Sequence, residues 1–153
     1  MKTILRQIPK TIIGLSLGII LSLTFITAYA ALVSGTPYNF TLGSQGYTNS
    51  ASLSNGITAK TLRPGCSVGT SNGASMPTGY FGTSPCVVRS TDSVIVYRVA
   101  MSYTPCACSA YINAGTYSGV LPSGYYYGQG ETKVYYNGIY QTYWTYGTPY
   151  LLN

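Results

Sequence analysis

The sequence contains no histidine and has only two acidic residues, Asp92 and Glu131, among its 153 residues. Without an imidazole there is neither a Ser-His-Asp or Cys-His arrangement for nucleophilic catalysis nor a histidine ligand for a metal. Two carboxylates could in principle form a glycosidase pair, but single acids at a turn and at a strand start are typical of structural positions. The composition therefore predicts a protein that is not an enzyme and that needs no cofactor.

Basic residues are also sparse. Half of the formal net charge of +6 comes from Lys2, Arg6 and Lys10. The other basic residues stand singly along the chain, at Lys60, Arg63, Arg89, Arg98 and Lys133. Nucleic-acid-binding proteins concentrate lysine and arginine in a stripe or patch, so no nucleic-acid partner is expected.

In place of charged residues the sequence is rich in tyrosine, glycine, serine and threonine, with 17 tyrosines and 18 glycines. A surface of neutral hydroxyl groups keeps the same charge state over a wide pH range. Low net charge also removes the repulsion that keeps proteins monomeric. The composition fits a harsh exterior, and it equally fits association between copies of the chain.

The first thirty residues have the order of a secretory signal: three basic residues, an apolar run, and then Ala28-Tyr29-Ala30. This order predicts a signal peptide over residues 1–30 with cleavage after Ala30. The alternative is a retained hydrophobic helix over residues 11–33, whose 23 residues would span about 35 Å. Both interpretations place the protein outside the cell or at its surface, and membrane contact is expected only if the segment is kept.

Four cysteines follow this leader, at Cys66, Cys86, Cys106 and Cys108. An even number in an exported chain predicts disulfides, and the spacing differs from that of zinc sites. Cys106 and Cys108 would share one face of a strand, where a bond between them would be strained. Cys66 and Cys86 are therefore each expected to reach one of this pair, with the choice of partner left open.

Beyond residue 33 the pattern is one of short alternating runs separated by turn residues, without helical periodicity. The clearest signal is Asn137-Gly138 between residues 132–136 and 139–144, which predicts a hairpin with a type I′ turn. Asn55-Gly56 predicts another hairpin. The longest strand is expected from Val94 to Tyr103, buried on both sides in its first half, and glycine-rich loops are expected over residues 69–79 and 115–130.

These runs predict an all-β domain over residues 43–153. Seven to nine short strands indicate an antiparallel β-sandwich that is immunoglobulin-like in a loose sense, preceded by the hydrophobic signal or anchor helix. A barrel is the alternative.

Two local features are candidates for function. Asn39-Phe40-Thr41 is an N-glycosylation sequon on an exported chain. The last hairpin is apolar on both faces, which favours a buried assembly contact or a surface on which sugars stack. One face is expected to carry Tyr136, Ile139 and Tyr143, and the other Tyr135, Tyr140 and Trp144.

A third feature is the uncharged, β-prone segment 31–42. By default it pairs within its own sheet, but it could instead complete the sheet of a neighbouring copy. In that case Gly35-Thr36-Pro37 would act as the hinge. The side chains expected to fill the neighbour's groove are Leu32, Tyr38, Phe40 and Leu42.

The leader that ends near Ala28-Tyr29-Ala30, the short apolar segment after it and the Tyr/Ser/Thr/Gly-rich all-β domain resemble subunits of archaeal surface filaments of the thread and bundling-pilus type. The resemblance lies in architecture and composition along the whole chain. It implies polymerisation by strand donation. With the leader retained, the plan is more similar to archaeal type IV pilins, although no Gly or Ala follows a basic residue where a prepilin cut would fall.

The sequence thus predicts an extracellular structural protein, a filament subunit whose main partner is another copy of itself. One alternative is a secreted or membrane-tethered adhesion module that binds surface glycans. A virion structural protein would make nearly the same demands on the sequence.

Overall fold

The computed structural model describes residues 31–56, 60–115 and 119–153. The predicted leader, residues 1–30, lies outside them. The described chain is all-β and consists of two antiparallel sheets. Among the described residues there is no helix of the length and apolarity needed to cross a membrane. The strands are β1 (Leu32–Ser34), β2 (Tyr38–Leu42), β3 (Gln45–Asn55), β4 (Leu62–Thr70), β5 (Phe81–Arg89), β6 (Ile95–Arg98), β7 (Ser102–Tyr103), β8 (Ala110–Ala114), β9 (Tyr125–Tyr136), β10 (Ile139–Trp144) and β11 (Leu151–Leu152).

The first sheet has the order β1-β3-β4-β8, and β2 also pairs with β3. β1 lies opposite residues 52–54 of β3, and β2 lies opposite residues 45–49. The two short strands therefore follow one another along the same edge of β3, interrupted at Gly35-Thr36-Pro37.

The second sheet has the order β10-β9-β5-β6, with β11 beside β9 and β7 beside β5. Each edge of this sheet also consists of two short strands, β10 and β11 beside β9 and β6 and β7 beside β5. The described chain has eleven strands, more than the seven to nine that the sequence predicts, because three of the sheet edges are each divided into two short strands.

Side chains from both sheets form two buried apolar clusters. The first consists of Leu53, Leu62, Val87, Leu121, Tyr126 and Leu151, and the second of Phe40, Tyr47, Val68, Phe81 and Val134. A polar layer lies between them, where the Asn49 amide donates to Thr132 Oγ1 at 2.7 Å. Even-numbered residues of β9 are buried from Tyr126 to Val134, so the odd-numbered residues of β9 face outward from the second sheet.

The final hairpin forms as predicted. Asn137 and Gly138 both have positive φ, 49° and 87°, as a type I′ turn requires. Tyr140 lies opposite Tyr135, and Trp144 lies opposite Glu131. The predicted division of this hairpin into two faces is confirmed.

The single strand predicted from Val94 to Tyr103 is wrong. It is divided into β6 and β7, both paired with β5, and the register shifts between Val87 and Val88. Its first half lies at the sheet edge, so Val94 is 46% exposed and Ile95 39% exposed. An apolar run alone does not distinguish an edge strand from a central one.

Two further predictions need correction. The glycine-rich loop expected over residues 115–130 is strand from Tyr125 onward. Gly130 is required there because a Cβ would collide with Cys66 Sγ on the facing sheet. The hairpin expected at Asn55-Gly56 joins β3 to β4, but β3 ends at Asn55 and β4 begins only at Leu62, so the connection is six residues long.

Candidate functional site

The outer face of the second sheet gathers three of the seven charged residues that follow residue 30. Arg98 Nη1 lies 3.0 Å from Glu131 Oε2, and Lys133 Nζ lies 3.6 Å from Glu131 Oε1. The Arg98 guanidinium also lies 5.1 Å from the ring centroid of Trp144, the only tryptophan in the chain. In a protein with so little charge, this is the densest concentration of charged side chains in the described structure.

The register of the sheet explains how these residues meet. Glu131 and Lys133 are two apart on β9, and Trp144 faces Glu131 from β10. Arg98 comes from β6, beyond β5, where it lies opposite Cys86. Its side chain therefore crosses β5 to reach Glu131, and Cys86 beneath it is fully buried.

A depression of about 400 Å³ opens beside these charges. We call it the charged trough; it is lined by Ser84, Arg98, Val99, Ala100, Met101, Glu131 and Lys133. The Ser84 hydroxyl is not available to a ligand as a donor, since it donates to the Val99 carbonyl at 2.6 Å. The Glu131 side chain is only 17% exposed and those of Arg98 and Lys133 are 40% and 27% exposed, so these ion pairs are partly shielded from water.

Four tyrosines form an aromatic cluster on the same face. Tyr135 contacts Tyr80 and Tyr140, with ring centroids 5.4 and 5.2 Å apart, and Tyr140 contacts Tyr103 at 5.0 Å. The Tyr140 hydroxyl donates to the Gly79 carbonyl at 2.8 Å. Desolvation raises the pKa of Tyr140, and the neighbouring phenols of Tyr103 and Tyr135 add to the effect.

The structure separates the four aromatic residues that the sequence singled out. Tyr135, Tyr140 and Trp144 share the outer face, whereas Tyr143 lies on the inner face and stacks on Phe40 at 3.8 Å. Burial raises the pKa of Tyr143. Tyr143 is therefore part of the packing between the sheets.

Sequence reasoning did not group Arg98, Glu131 and Lys133. The pairing of Glu131 with Lys133 was available, because residues two apart on a strand share a face and the hairpin register places Trp144 opposite. The approach of Arg98 could not be predicted, because it depends on the order of the strands in the sheet, where β5 lies between β6 and β9.

The N-terminal segment pairs with β3 of the same chain, the arrangement expected by default. Val33 packs against the first core cluster, and Leu32 points outward with 65% of its surface exposed. Phe40 is buried and stacks on both Tyr143 and Tyr47, the latter at 5.5 Å.

The other predicted side chains of this segment also lie within the chain's own fold. Tyr38 and Leu42 are half-buried against the second cluster. Asn39 of the sequon is exposed and accepts a hydrogen bond from the Thr48 hydroxyl at 2.6 Å. Glycosylation of Asn39 stays a prediction.

All four cysteines are free thiols in this structure. Cys66 is buried between the sheets against Gly130, and Cys86 is buried on the outer side of β5, where it donates to the Gln129 carbonyl at 3.1 Å. Burial raises the pKa of Cys66 to about 12 and that of Cys86 to about 11.

The remaining two cysteines lie between β7 and β8. Cys106 is exposed, while Cys108 is half-buried and exchanges backbone hydrogen bonds with Met76. The predicted bridges from Cys66 and Cys86 to this pair are not formed here and stay a prediction.

The two carboxylates are held apart from each other. Arg89 Nε donates to Asp92 Oδ1 at 3.0 Å, and this hydrogen bond lowers the pKa of Asp92. Arg89 lies opposite Tyr126, five residues before Glu131 on β9, a distance of about 17 Å along a strand. The two acids thus have separate cationic partners, Arg89 for Asp92 and the pair Arg98 and Lys133 for Glu131.

Within residues 31–56, 60–115 and 119–153, no three His, Cys, Asp or Glu side chains come together as a group that could hold a metal ion. No protein-family model matches the chain, and neither a curated protein nor a solved structure matches it. Function has to be inferred from the residues themselves.

Proposed function

We propose that the protein is an extracellular structural subunit that assembles with copies of itself by exchange of its N-terminal strand. The observation that carries the proposal is the state of β1, a three-residue strand at a sheet edge that is connected to β2 through Gly35-Thr36-Pro37. A short terminal strand on an open edge can be replaced by the same strand of another copy without rearranging the sandwich.

The topology supports this choice of strand. The order β3-β4-β8 against β10-β9-β5-β6 corresponds to strands A-B-E against G-F-C-C′ of an immunoglobulin-like Greek key, and we propose that this is the fold. In that correspondence β1 and β2 lie beyond the first standard strand. The sandwich therefore remains complete when β1 leaves.

β1 is more easily exchanged than β2. β2 connects to β3 through only two residues, Gly43 and Ser44, and Phe40 anchors it between the sheets. β1 buries only Val33. We therefore assign the exchange to residues 31–37, a narrower segment than the 31–42 expected from the sequence.

The scarcity of charge agrees with self-assembly outside the cell. The edge strands β8 and β10 carry no charged residue, and charges on edge strands are a common protection against pairing between molecules. Tyrosine and threonine on these strands favour β-structure.

A cross-strand cysteine pair tests the exchange directly. Leu32 lies opposite Ser54, at a distance suited to a disulfide. In the double variant Leu32→Cys with Ser54→Cys, filaments built by exchange should give covalent ladders on a non-reducing gel. If β1 stays in its own chain, the same filaments should give only monomer bands.

Mixing the two single variants provides the control. A Leu32→Cys copy and a Ser54→Cys copy can form this bond only between molecules, and peptide mapping distinguishes it from bonds of the native cysteines. Deletion of residues 31–36 should leave a folded monomer that does not polymerise. Normal filaments from that deletion would exclude strand exchange.

A further inference from the structure

The charged trough has the features of a binding site, independently of any contact between copies. Its three charged side chains meet at Glu131, which has two cationic partners, Arg98 and Lys133. With two cations and one carboxylate, the trough has one uncompensated positive charge. From this surplus, the concave shape and the aromatic side chains on the same face of the sheet, we propose that it binds an acidic saccharide, a sugar that carries a carboxylate.

The charges match such a ligand group by group. Lys133 and Arg98 can both turn donors toward a sugar carboxylate, and charge-assisted hydrogen bonds are stronger than neutral ones. Glu131 can accept hydrogen bonds from sugar hydroxyls while Arg98 remains bound to it. Because Glu131 is the most shielded of the three, its orientation is already fixed before a ligand arrives.

The size of the depression and the exposed aromatic side chains beside it on the same face suit a sugar ring. The volume of about 400 Å³ is in the range of small-molecule sites. Trp144, Tyr103 and Tyr140 lie along the same face and are 40%, 39% and 41% exposed. Their rings offer apolar faces for the C–H groups of a sugar and, in the tyrosines, hydroxyl tips for hydrogen bonds.

A second protein surface fits the trough less well. Stable protein interfaces rarely bury charged residues at their centre, whereas here three charged side chains line the depression. The uncompensated positive charge also favours an acidic sugar over a neutral one, because only the carboxylate of the acidic sugar can neutralise it.

Trp144 is a built-in probe, since its fluorescence and its indole N–H signal both arise from one residue. The exported chain is titrated with digalacturonic acid and, in parallel, with the corresponding neutral galactose disaccharide. The acidic disaccharide should shift both signals and bind about tenfold more tightly than the neutral one, as expected for one charge-assisted hydrogen bond. Equal affinity for both sugars, or no response of Trp144, overturns the proposal.

A pair of matched variants locates the effect. Lys133→Gln should weaken binding of the acidic disaccharide about tenfold more than binding of the neutral one. Lys60→Gln removes the same charge from an exposed position on the β3–β4 connection and should bind both sugars as the parent chain does. An equal loss in both variants would show that only overall charge matters and would exclude the trough.

Raising the salt concentration tests the role of the charged side chains without a substitution. At about 1 M sodium chloride the Debye length falls to about 3 Å, so the preference for the acidic disaccharide should largely disappear while neutral binding persists. A preference unchanged by salt contradicts the assigned role of Arg98 and Lys133.

Discussion

At the scale of single residues, Cys66 and Gly130 show how closely the two sheets approach. The Cys66 side chain fills the space in which a β-carbon of residue 130 would lie. The buried thiol loses the hydration that would stabilise its thiolate, and the nearby Cys86 disfavours the charge further. The same packing that requires a glycine on β9 therefore keeps Cys66 protonated.

The buried thiols predict a loss of stability at alkaline pH. In the unfolded chain they ionise near the ordinary value of 9.0, whereas in the fold Cys66 ionises only near 12 and Cys86 near 11. Their contribution is complete below pH 9 and is lost as the pH rises above it, by roughly 1 kcal/mol for Cys66 at about pH 10. Urea unfolding of the reduced protein at several pH values measures this loss.

Cys66→Ala provides the comparison for this loss. The variant removes the titrating thiol at the same buried position, so its free energy of unfolding should fall less steeply above pH 9. An identical slope in the variant and the parent chain would show that Cys66 does not titrate in this way.

At the scale of the elements, the turn between β9 and β10 sets the register of the outer face. Gly138 has a φ of 87° and open space around it, so its replacement tests the backbone alone. Gly138→Ala should lower the free energy of unfolding by about 1–2 kcal/mol because an L-residue is strained in this conformation. Thermal or urea denaturation measures the difference.

Gly124→Ala is the matched control for this turn. Gly124 lacks a positive φ, and an added Cβ would make only an ordinary contact with Tyr126. Its replacement should leave stability within about 0.5 kcal/mol of the parent chain. Equal effects of the two substitutions would mean that the turn conformation does not limit stability.

The same elements show what the sequence could and could not predict. The last hairpin was predictable in register and facing because both its turn and its alternation are local. The division of Val94–Tyr103 into two edge strands was not, because edge and central positions are decided by the rest of the sheet. The strand that begins at Tyr125 was predicted as a loop because it contains Gly128 and Gly130. These glycines allow close contact with the facing sheet, which the sequence alone does not show.

The candidate site likewise has residues that the sequence could predict and residues that it could not. Tyr135, Tyr140 and Trp144 could be assigned to one face from local spacing. Arg98 enters the site across β5, and Tyr143 is covered by Phe40 from the other sheet. Neither contact has a local signal in the sequence.

At the scale of the whole molecule, the scarcity of carboxylates and the absence of histidine predict insensitivity to mild acid. The chain has no histidine, and Arg89 lowers the pKa of Asp92 below its ordinary value of 3.8. The contribution of Asp92 is present above that value and is lost only as the pH falls through its lowered pKa. The free energy of unfolding should therefore change by less than about 1 kcal/mol between roughly pH 5 and pH 8.

Urea unfolding midpoints across this range measure the plateau, at both low and moderate salt. The few exposed ion pairs should add little salt dependence. A midpoint that moves steadily between pH 5 and pH 8 would indicate a titrating group that the described residues do not contain.

The two ends of the described chain leave the sandwich at the same pole. Val33 and Leu151 both pack on the first core cluster, whereas the turns at Gly43-Ser44 and Asn137-Gly138 meet at the opposite pole, where a Cβ on Gly43 would touch Tyr136. A peptide displayed at Asn137-Gly138 would therefore be carried away from both ends of the described residues. If copies are linked through β1 as proposed, the opposite pole stays free to present a guest sequence.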